Sequence, residues 1–413
     1  MMKFFHISDL HIGKQLYGYS LLEDQVYVLE QILKEAQKEK PDALLITGDI
    51  YDKPVPGAEA VAVFDRFLTG LSRSCPAMQI MVIAGNHDAA RRIDYAGDIL
   101  CQHGIHIVGT PLQRPEDQIR RVTMEDVHGA VDFYLLPFFK PGNLRGVFTE
   151  EENTCYVNRA KEEGRSEYEI YLEALLGRED LDASRRKVLL THQFFVPGDG
   201  EKPERTESEI ITVGTLDHIS AHLLSAFDYV AMGHLHRPQK CGRENIRYCG
   251  TPMPYSLSEE KDHKSITVVT LGLPGQEAQV ETIALTPLRR VRKLRGSVKE
   301  LIALAQQEGK MSDQPGKAGQ KEINDYVSLV VTDEEPGRYV REQLGMYYSH
   351  ILEIRFDNRF MQSLMEDQLS EGLSEDYFEM FRSFYEMRNG AGMSGEEAEI
   401  FAKLLDETKG GEA

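Results

Sequence analysis

Five apolar runs in the first half of the chain each end in a short polar cluster. The runs are FFHIS, ALLITG, IMVIAG, KVLLT and DYVAM, and their β-branched and aliphatic residues are typical of buried strands. The clusters are Asp9-Leu10-His11, Gly48-Asp49 with Asp52, Gly85-Asn86-His87-Asp88, Thr191-His192 and Gly233-His234-Leu235-His236. In α/β sheets, ligands bind beyond the carboxyl ends of the strands. The pattern therefore predicts that the five clusters converge at one edge.

Helical segments alternate with these strands. Helices are predicted over Leu21–Lys40, after the first strand, and over Gly57–Leu71, after the second cluster. Alternating strands and helices indicate an α/β fold. We therefore predict one α/β domain over residues 1–280.

A second, smaller unit follows Pro287. Its pattern predicts, in order, strand Arg289–Arg295, helix Val298–Gln307, strand Tyr326–Thr332, helix Gly337–Met346 and strand Ile351–Phe356. The polar stretch Met311–Gln320 contains Gly and Pro and predicts a loop. Residues 287–357 are thus predicted to form a compact βαβαβ domain.

The C-terminal segment, residues 370–408, predicts two short helices separated by a loop. The first, Leu373–Arg388, carries aromatic residues at helical spacing, and these are Tyr377, Phe378, Phe381, Phe384 and Tyr385. Ser394 and Glu397 predict a capping box before a second helix that contains Phe401. Two short helices cannot bury this much aromatic surface between themselves. The segment can dock either on the first domain of its own chain or on a partner.

Composition excludes several classes of protein. A chain of 413 residues buries a sizeable core and suggests two or three domains. No apolar run approaches the length of a membrane span, and no signal peptide precedes the first strand, so a cytoplasmic location is expected. Five scattered cysteines indicate free thiols in a reducing compartment. No P-loop motif is present, so control by ATP would require a partner.

The five clusters contain carboxylates, an amide and imidazoles, but no cysteine. These mixed ligands suit Mn²⁺, Zn²⁺ or Fe²⁺, and the oxygen ligands also tolerate Mg²⁺. The clusters offer seven candidate ligands. Seven are too many for one catalytic ion that keeps an open coordination position, and they fit two ions that share a bridging carboxylate. Two such ions can clamp the attacking and leaving oxygens of an in-line phosphoryl displacement.

The order D-x-H, G-D-x-x-D, G-N-H-D, H and G-H-x-H resembles the calcineurin-like metallophosphoesterases over the first 255 residues. A finer resemblance is to the SbcD family of bacterial nuclease subunits. It rests on FFHISDLHIGK, GDIYDKPVP, VIAGNHDAARR, MGHLHRPQ and CGTPMPYSLSEE, of which the last, Cys249–Glu260, is not a metal motif. The resemblance implies a four-layer α/β/β/α sandwich with a small βαβαβ cap domain and a C-terminal helix–loop–helix.

The resemblance also implies a role for each cluster residue. Two divalent ions are implied, Mn²⁺ preferred and Mg²⁺ possible. The first would be held by Asp9, His11, Asp49 and His236, and the second by Asp49, Asn86, His192 and His234, with Asp49 bridging. His87 would contact the scissile phosphate and assist the leaving oxygen. Asp88 would orient a neighbour, and Asp52 is interpreted as a partner of a metal ligand or of His87.

The implied activity is that of a DNA nuclease component, a double-strand exonuclease and a single-strand or hairpin endonuclease in DNA repair and recombination. The implied partners are DNA ends and hairpins and an SbcC-type ATPase with a coiled coil. The C-terminal helices would pack on that coiled coil through Phe378, Phe381, Tyr385 and Phe401. A homodimer within a nucleoid-associated heterotetramer, without membrane contact, is expected. Two alternatives are a phosphoesterase acting on a non-DNA ester and a metal-free scaffold with the same fold.

The net charge of −20 argues against a simple nucleic-acid binder, so basic residues near the site are informative. The first cap strand carries Arg289, Arg290, Arg292, Lys293 and Arg295. These either contact the phosphate backbone of DNA or protect an exposed edge strand. Lys14, Arg91 and Arg92 adjoin metal clusters and are predicted to contact phosphate.

The histidines outside the five clusters are interpreted as structural. His6 is predicted to face the core or to flank the first strand. His218 and His222 are predicted to lie four apart on one helix, and no cluster of carboxylates accompanies them.

Overall fold

A computed structural model describes residues 1–198, 203–207, 218–311, 323–333 and 339–357, and thirteen further residues between 378 and 402. The strands are β1 (Met2–Ile7), β2 (Gln15–Leu16), β3 (Tyr19–Ser20), β4 (Ala43–Thr47), β5 (Gln79–Ile83), β6 (Ile105–Val108), β7 (Arg120–Asp126), β8 (Gly129–Leu136), β9 (Arg186–Thr191), β10 (Phe195–Val196), β11 (Ile219–Ser220), β12 (Tyr229–Met232), β13 (Gln239–Cys241), β14 (Arg243–Tyr248), β15 (Ser265–Leu271), β16 (Gln279–Ala284), β17 (Val291–Gly296), β18 (Ile323–Val331) and β19 (Tyr348–Phe356). The helices are α1 (Leu22–Glu39), α2 (Ala58–Ser74), α3 (Ala90–Ile93), α4 (Gly97–Cys101), α5 (Glu150–Glu163), α6 (Glu167–Leu176), α7 (Val298–Met311) and α8 (Val340–Gly345).

Two six-stranded sheets of similar design form the main body. The first has the order β16-β15-β1-β4-β5-β6 and the second β13-β14-β12-β9-β8-β7. In the first, β1, β4, β5 and β6 are parallel, and in the second, β14, β12, β9 and β8 are parallel. Because parallel strands end at the same edge, each sheet delivers its loops to one side.

The two sheets pack face to face through alternate residues of their strands. Phe4 of β1 lies between the sheets, where its ring is 5.6 Å from those of Phe133 and Tyr229. Phe5, the next residue, faces the opposite way into a core with Val28 of α1 and other apolar residues of α1 and α2, as the period of two in a strand requires. The outer face of the second sheet is covered by α6, with Tyr156 of α5 at the margin. The result is the predicted α/β/β/α sandwich.

The remaining three-stranded sheet forms the cap. Strands β17, β18 and β19 are parallel and lie in that order, joined through α7 and α8, which pack on the sheet. The cap rests on the start of α1. There Asp24, fully buried, accepts hydrogen bonds from Arg289 at 2.6 Å and from the hydroxyl of Tyr326 at 2.9 Å. The predicted βαβαβ order is therefore present.

Several boundaries predicted from the sequence agree closely with the structure. Helix α1 begins and ends one residue inside the predicted range, and α2 extends three residues beyond the predicted end. His6 is fully buried between Tyr229 and Thr47, as expected. No helix among the described residues is both long and apolar enough to cross a membrane.

The helix predicted to carry His218 and His222 is wrong. Residues Ile219–Ser220 pair instead with β10 as a short parallel strand, and Ala221–Leu224 form a single 3₁₀ turn. Tertiary strand pairing has overridden local helix propensity in this segment.

Parts of other predictions fall outside the described residues. These are the loop at 312–320, the start of the second cap helix at 337–338, and most of the C-terminal helices predicted between 373 and 408.

Candidate metal centre

The residues of the five clusters meet at the common edge of the two sheets, on backbone held in an unusual conformation. Asp9, His11, Asp49 and His234 have positive φ angles of 53°, 41°, 50° and 95°. Such angles are costly for residues other than glycine, and they occur most often where function requires them. The amide of Asp9 donates to the carbonyl of Gly48 at 3.0 Å, and that of His11 to the carbonyl of Asp49 at 2.9 Å. The first two loops are thereby fixed to each other.

The loops of the centre approach one another so closely that two positions in the clusters have room only for glycine. A Cβ at Gly85 would lie 2.1 Å from Oδ1 of Asp49, and one at Gly48, where φ is +95°, would lie 2.3 Å from Nδ1 of His192. Any side chain at either position would displace a candidate ligand.

Asp9, His11 and His236 form one group of candidate ligands, whose atoms all lie within 4.8 Å of one another. The two Nε2 atoms of His11 and His236 are 3.1 Å apart. Both carboxylate oxygens of Asp9 accept from the amide of His234 at 3.1 Å. All three side chains are buried, so they face one another rather than solvent.

Asp9, Asp49 and His192 form a second group within the same limit of 4.8 Å. The amide oxygen of Asn86 joins this side of the centre, 3.1 Å from Nε2 of His192 and 2.9 Å from Nδ1 of His234. Nδ1 of His192 donates to the carbonyl of Thr47 at 2.6 Å. That bond fixes the tautomer and leaves Nε2 as the coordinating nitrogen.

Asp49 occupies the centre of the arrangement. Its Oδ2 lies 3.4 Å from Nε2 of His192, 3.6 Å from Nε2 of His11 and 4.0 Å from Nε2 of His87. Burial opposes ionisation, but these imidazoles outweigh it and hold the pKa of the Asp49 carboxyl well below its usual range. A carboxylate placed between two groups of ligands is arranged as a bridge would be. Asp9, rather than Asp49, is the residue that the two groups have in common, which the sequence did not indicate.

Burial holds two imidazoles of the centre in the neutral form that binds metal. Burial lowers the pKa of His11 well below its usual value and that of His234 to about 3. His192 is also penalised by burial, but the charges of Asp49 and Asp9 raise its pKa to about 9. A metal ion at this position would therefore have to displace a proton from His192.

His87 lies at the rim, with its side chain 15% exposed. Its Nδ1 donates to the backbone carbonyl of Asp52 at 2.9 Å, so Nε2 is left to face the centre. The carboxylate of Asp52 lies 3.9 Å from Nδ1 of His11 and 2.9 Å from Nζ of Lys14. Asp52 thus contacts both His87 and Lys14.

Asp88 holds the backbone of two loops of the centre through its carboxylate. Its carboxylate accepts from the amides of Ile50 at 3.1 Å, Tyr51 at 3.0 Å and Gly85 at 2.9 Å. Burial and the negative charge of Asp49 raise the pKa of Asp88 to about 6. Through these bonds Asp88 joins the loop of Asp49 to the loop of Asn86 and His87.

These residues fit a pair of divalent ions. Nitrogen lone pairs from His11 and His236 converge at 3.1 Å. Carboxylates, an amide oxygen and imidazoles, with no thiolate, are the donors that borderline and hard divalent ions share.

The segment Cys249–Glu260, which carries no metal motif, supports the first group of ligands. The hydroxyl of Tyr255 donates to the carbonyl of Leu10, and its ring lies 5.7 Å from that of His11. Gln25 of α1 donates to the carbonyl of His11 at 2.8 Å and to the hydroxyl of Tyr255 at 3.2 Å. Neither Gln25 nor Tyr255 was identified from the sequence.

A buried ion pair supports His236. Nζ of Lys264 lies 2.7 Å from Glu259 and donates to the carbonyl of His236 at 2.9 Å. The other oxygen of Glu259 is 3.9 Å from Nδ1 of His236. The pairing orients a candidate ligand from behind, as outer partners of metal-binding histidines do.

Glu259→Gln is expected to destabilise the folded chain by about 1–3 kcal/mol, because it removes the nearer of the two carboxylates that pair with the buried Lys264 ammonium and leaves only Asp262, at 3.4 Å. Urea unfolding measures the loss. Glu244→Gln is the matched control, since Glu244 pairs with Lys240 and Arg247 at an exposed position and should change stability by less than about 0.5 kcal/mol. Equal stabilities of the two variants would contradict the role given to Glu259.

Most of the basic residues of the first cap strand are engaged within the chain. Carboxylates pair with the guanidinium groups of Arg289 (Asp24 and Glu23), Arg290 (Asp325), Arg292 (Glu308 and Asp325) and Arg295 (Asp357). Lys293 is exposed, and β17 is an edge strand. Protection of an exposed edge strand is compatible with this pattern. Contact of these residues with DNA stays a prediction, as it does for Arg91 and Arg92 of α3.

The aromatic residues assigned to partner binding lie close together in the described part of the tail. The rings of Phe381 and Phe401 stack at 3.8 Å, Phe378 lies 5.9 Å from Phe401, and Tyr385 lies 6.3 Å from Phe381. Ser394 and Glu397 form the predicted capping box, with bonds of 2.8 and 3.3 Å. All four rings are half-buried.

Comparison with known proteins identifies the family of the chain. The family model of calcineurin-like phosphoesterases matches residues 2–238, and the SbcD_C model, described as the type 5 capsule protein repressor C-terminal domain, matches residues 285–389. The SbcD component of nuclease SbcCD from Staphylococcus epidermidis is 30% identical over 302 residues, which cover 73% of this chain and 74% of that protein. The protein of the same name from Staphylococcus saprophyticus is 29% identical over 306 residues, 73% of each chain. Among solved structures, a dimetal phosphatase from Danio rerio aligns with 69% of this chain and 99% of its own, with 12% identity and a TM-score of 0.38.

Proposed function

Because the chain belongs to the calcineurin-like phosphoesterases and, among them, to the SbcD family of nuclease SbcCD, we propose that it is the metal-dependent nuclease component of a DNA-processing complex. The proposed activities are exonuclease on double strands and endonuclease on single strands and hairpins. One observation carries the proposal. Two groups of buried ligands share Asp9, Asp49 lies between their histidines, and His87 stands at the rim with one nitrogen directed toward them.

We assign the ions to the residues as follows. Asp9, His11, Asp49 and His236 would hold one ion, and Asp49, Asn86, His192 and His234 the other, with Mn²⁺ preferred and Mg²⁺ accepted. When bound, two such ions supply an activated water and stabilise the charge on the phosphoryl group during its transfer.

His87 is placed to handle the proton of the leaving oxygen. Its Nδ1 proton is committed to the carbonyl of Asp52, so Nε2 can carry a second proton toward the centre. Positioned proton transfer of this kind contributes about 10²–10⁴ in rate. Asp52 also holds Lys14 beside the centre at 2.9 Å, where we propose that the ammonium contacts a phosphate oxygen. Asp88 contributes by fixing the backbone around Asp49 and Gly85.

One observation favours a second candidate, a phosphoesterase acting on a non-DNA ester. The net charge is −20, and the arginines of the cap strand are paired with carboxylates of the same chain. Incubation with Mn²⁺ and either a hairpin duplex or p-nitrophenyl phosphate separates the candidates. The nuclease proposal requires cleavage of the hairpin, and hydrolysis of the monoester alone would favour the second candidate.

We further propose an SbcC-type ATPase as the partner and the C-terminal segment as its docking element, within a heterotetramer that contains two copies of this chain. The stacked rings of Phe381 and Phe401 give this segment an apolar cluster of its own. An amphipathic helix that presents residues at i, i+3 and i+7 is suited to an apolar groove.

Removal of the chain from residue 370 onward is expected to abolish the complex with the ATPase while leaving Mn²⁺-dependent cleavage intact. All candidate ligands precede residue 240, so the tail supplies none of them. Co-purification and melting temperature are the measurements. A truncated chain that still co-purifies would contradict the docking role, and a lower melting temperature would instead support packing of the tail on its own first domain.

A further inference from the structure

The mouth of the metal centre has a side that none of the predicted DNA contacts occupies. It lies beyond His192 and His234, whose rings are 5.4 Å apart. Phe138 lies 6.4 Å from the ring of His192, and Phe194 lies 6.3 Å from that of His234. Both phenylalanines are only half-buried, although Phe139 and Phe195, which follow them, are fully buried. Apolar rings are therefore left partly open to solvent beside a polar centre.

Arg205 extends this row of rings. Its guanidinium carbon lies 3.9 Å above the centre of the Phe194 ring, which is the geometry of a cation–π contact. The contact restrains the side chain, and the hydrogen-bond donors at the edge of the guanidinium remain available. Arg205 is exposed, so those donors can reach a ligand from solvent.

The short segment that carries Arg205 is anchored to the metal centre. Glu204 and Gln239 exchange two hydrogen bonds, of 2.9 and 2.7 Å, and the carboxylate of Glu204 pairs with Arg237, which follows His236. The amide of Glu207 donates to the hydroxyl of Ser258 at 3.0 Å. Arg205 is thus held between two attachments to the same edge of the protein.

The nearby cations each pair with a carboxylate, whereas Arg205 pairs with none among the described residues. Lys14 pairs with Asp52, Arg237 with Glu204 and Asp262, and Lys264 with Glu259. Within the described ranges, no carboxylate forms an ion pair with Arg205. A guanidinium that is exposed, restrained and without a carboxylate partner among the described residues is arranged to receive an anion, and its planar fork matches a phosphate.

We propose that Arg205, supported by Phe194, binds the phosphate next to the scissile one on a nucleic-acid strand. Phe194 separates Arg205 from His234, so the guanidinium stands one side chain farther out than the candidate ligands. The site would therefore recognise a chain of phosphodiesters rather than an isolated ester. The inference rests on the proposed nuclease function and names a substrate contact for it.

The test compares two substrates in Mn²⁺, a single-stranded oligonucleotide and bis(p-nitrophenyl) phosphate, which contains one phosphate only. Arg205→Gln is expected to raise KM for the oligonucleotide about tenfold or more, because a charge-assisted hydrogen bond is lost, and to leave hydrolysis of the small diester unchanged. Phe194→Leu should give a smaller change in the same direction. Arg243→Gln is the matched control, since Arg243 is exposed at the start of β14, the end of that strand opposite the centre.

Salt dependence gives a readout that a structural role would not change. A lost phosphate contact reduces the slope of log KM against log salt by about 0.7 for a single strand. An unchanged KM and slope in Arg205→Gln, or equal losses on both substrates, would overturn the inference while the proposed function stood. A wild-type enzyme that hydrolyses the diester but no oligonucleotide would overturn the proposed function itself, and the inference with it.

Discussion

Asp49→Ala is expected to lose Mn²⁺ binding at both groups of ligands at once. The carboxylate lies within 3.6 Å of His192 on one side and of His11 on the other, so this substitution removes a ligand that both ions would share. Changes to outer partners alone weaken metal binding by about 10–100-fold, and loss of a shared ligand should exceed that. Isothermal titration with Mn²⁺ measures both sites, and nuclease activity should fall to background.

Two sets of controls make the Asp49 result specific. His11→Ala and His192→Ala should each weaken mainly one site, since the two imidazoles lie on opposite sides of Asp49. Asp49→Asn keeps an acceptor for the amide of His87, now 2.8 Å from Oδ1, and separates loss of charge from loss of the hydrogen bond. Retention of two tight sites in Asp49→Ala would show that the bridge is wrongly assigned.

His87→Ala is expected to retain both ions and to lose most cleavage, by about 10²–10⁴-fold in rate. His87 is the imidazole of the five clusters that is not needed as a ligand, and it stands at the rim with Nε2 directed inward. Elemental analysis and single-turnover cleavage are the two measurements. The exposed His103 provides a control, since His103→Ala should cleave at the wild-type rate. Loss of metal from His87→Ala would contradict this assignment.

The convergence of the five clusters was predictable because each signal is local. A β-branched run followed by Asp, Asn, Gly or His marks a strand end, and parallel strands bring such ends together whatever their separation in sequence. The α/β/β/α layering and the βαβαβ order of the cap follow from the same alternation. The short parallel pairing of Ile219–Ser220 with β10 was not predictable, because the partner strand, not the local pattern, decides it.

The residues that support the centre could not be predicted from the sequence, because their contacts join segments that are far apart along the chain. Gln25 lies 14 residues from His11, and Tyr255 lies 245 residues from Leu10. Helical spacing places Gln25 on the buried face of α1 with Val28, Leu29 and Ile32, but the pattern does not indicate which loop its amide contacts. Similarly, the run of basic residues over Arg289–Arg295 predicts a positive strand, but carboxylates of α1, α7 and β18 pair with its arginines. When the partners that neutralise a charge lie far away in sequence, the local pattern does not indicate the pairing.

If five strand-end loops build one centre for two metal ions, anomalous diffraction from Mn²⁺-soaked crystals should show both ions directly. We expect two peaks per chain, roughly 3.5–4 Å apart, with Asp49 in contact with both. His11 and His236 should lie beside one peak, and Asn86, His192 and His234 beside the other. A single peak, or two peaks that do not share Asp49, would show that the five loops do not form a two-ion centre bridged by Asp49.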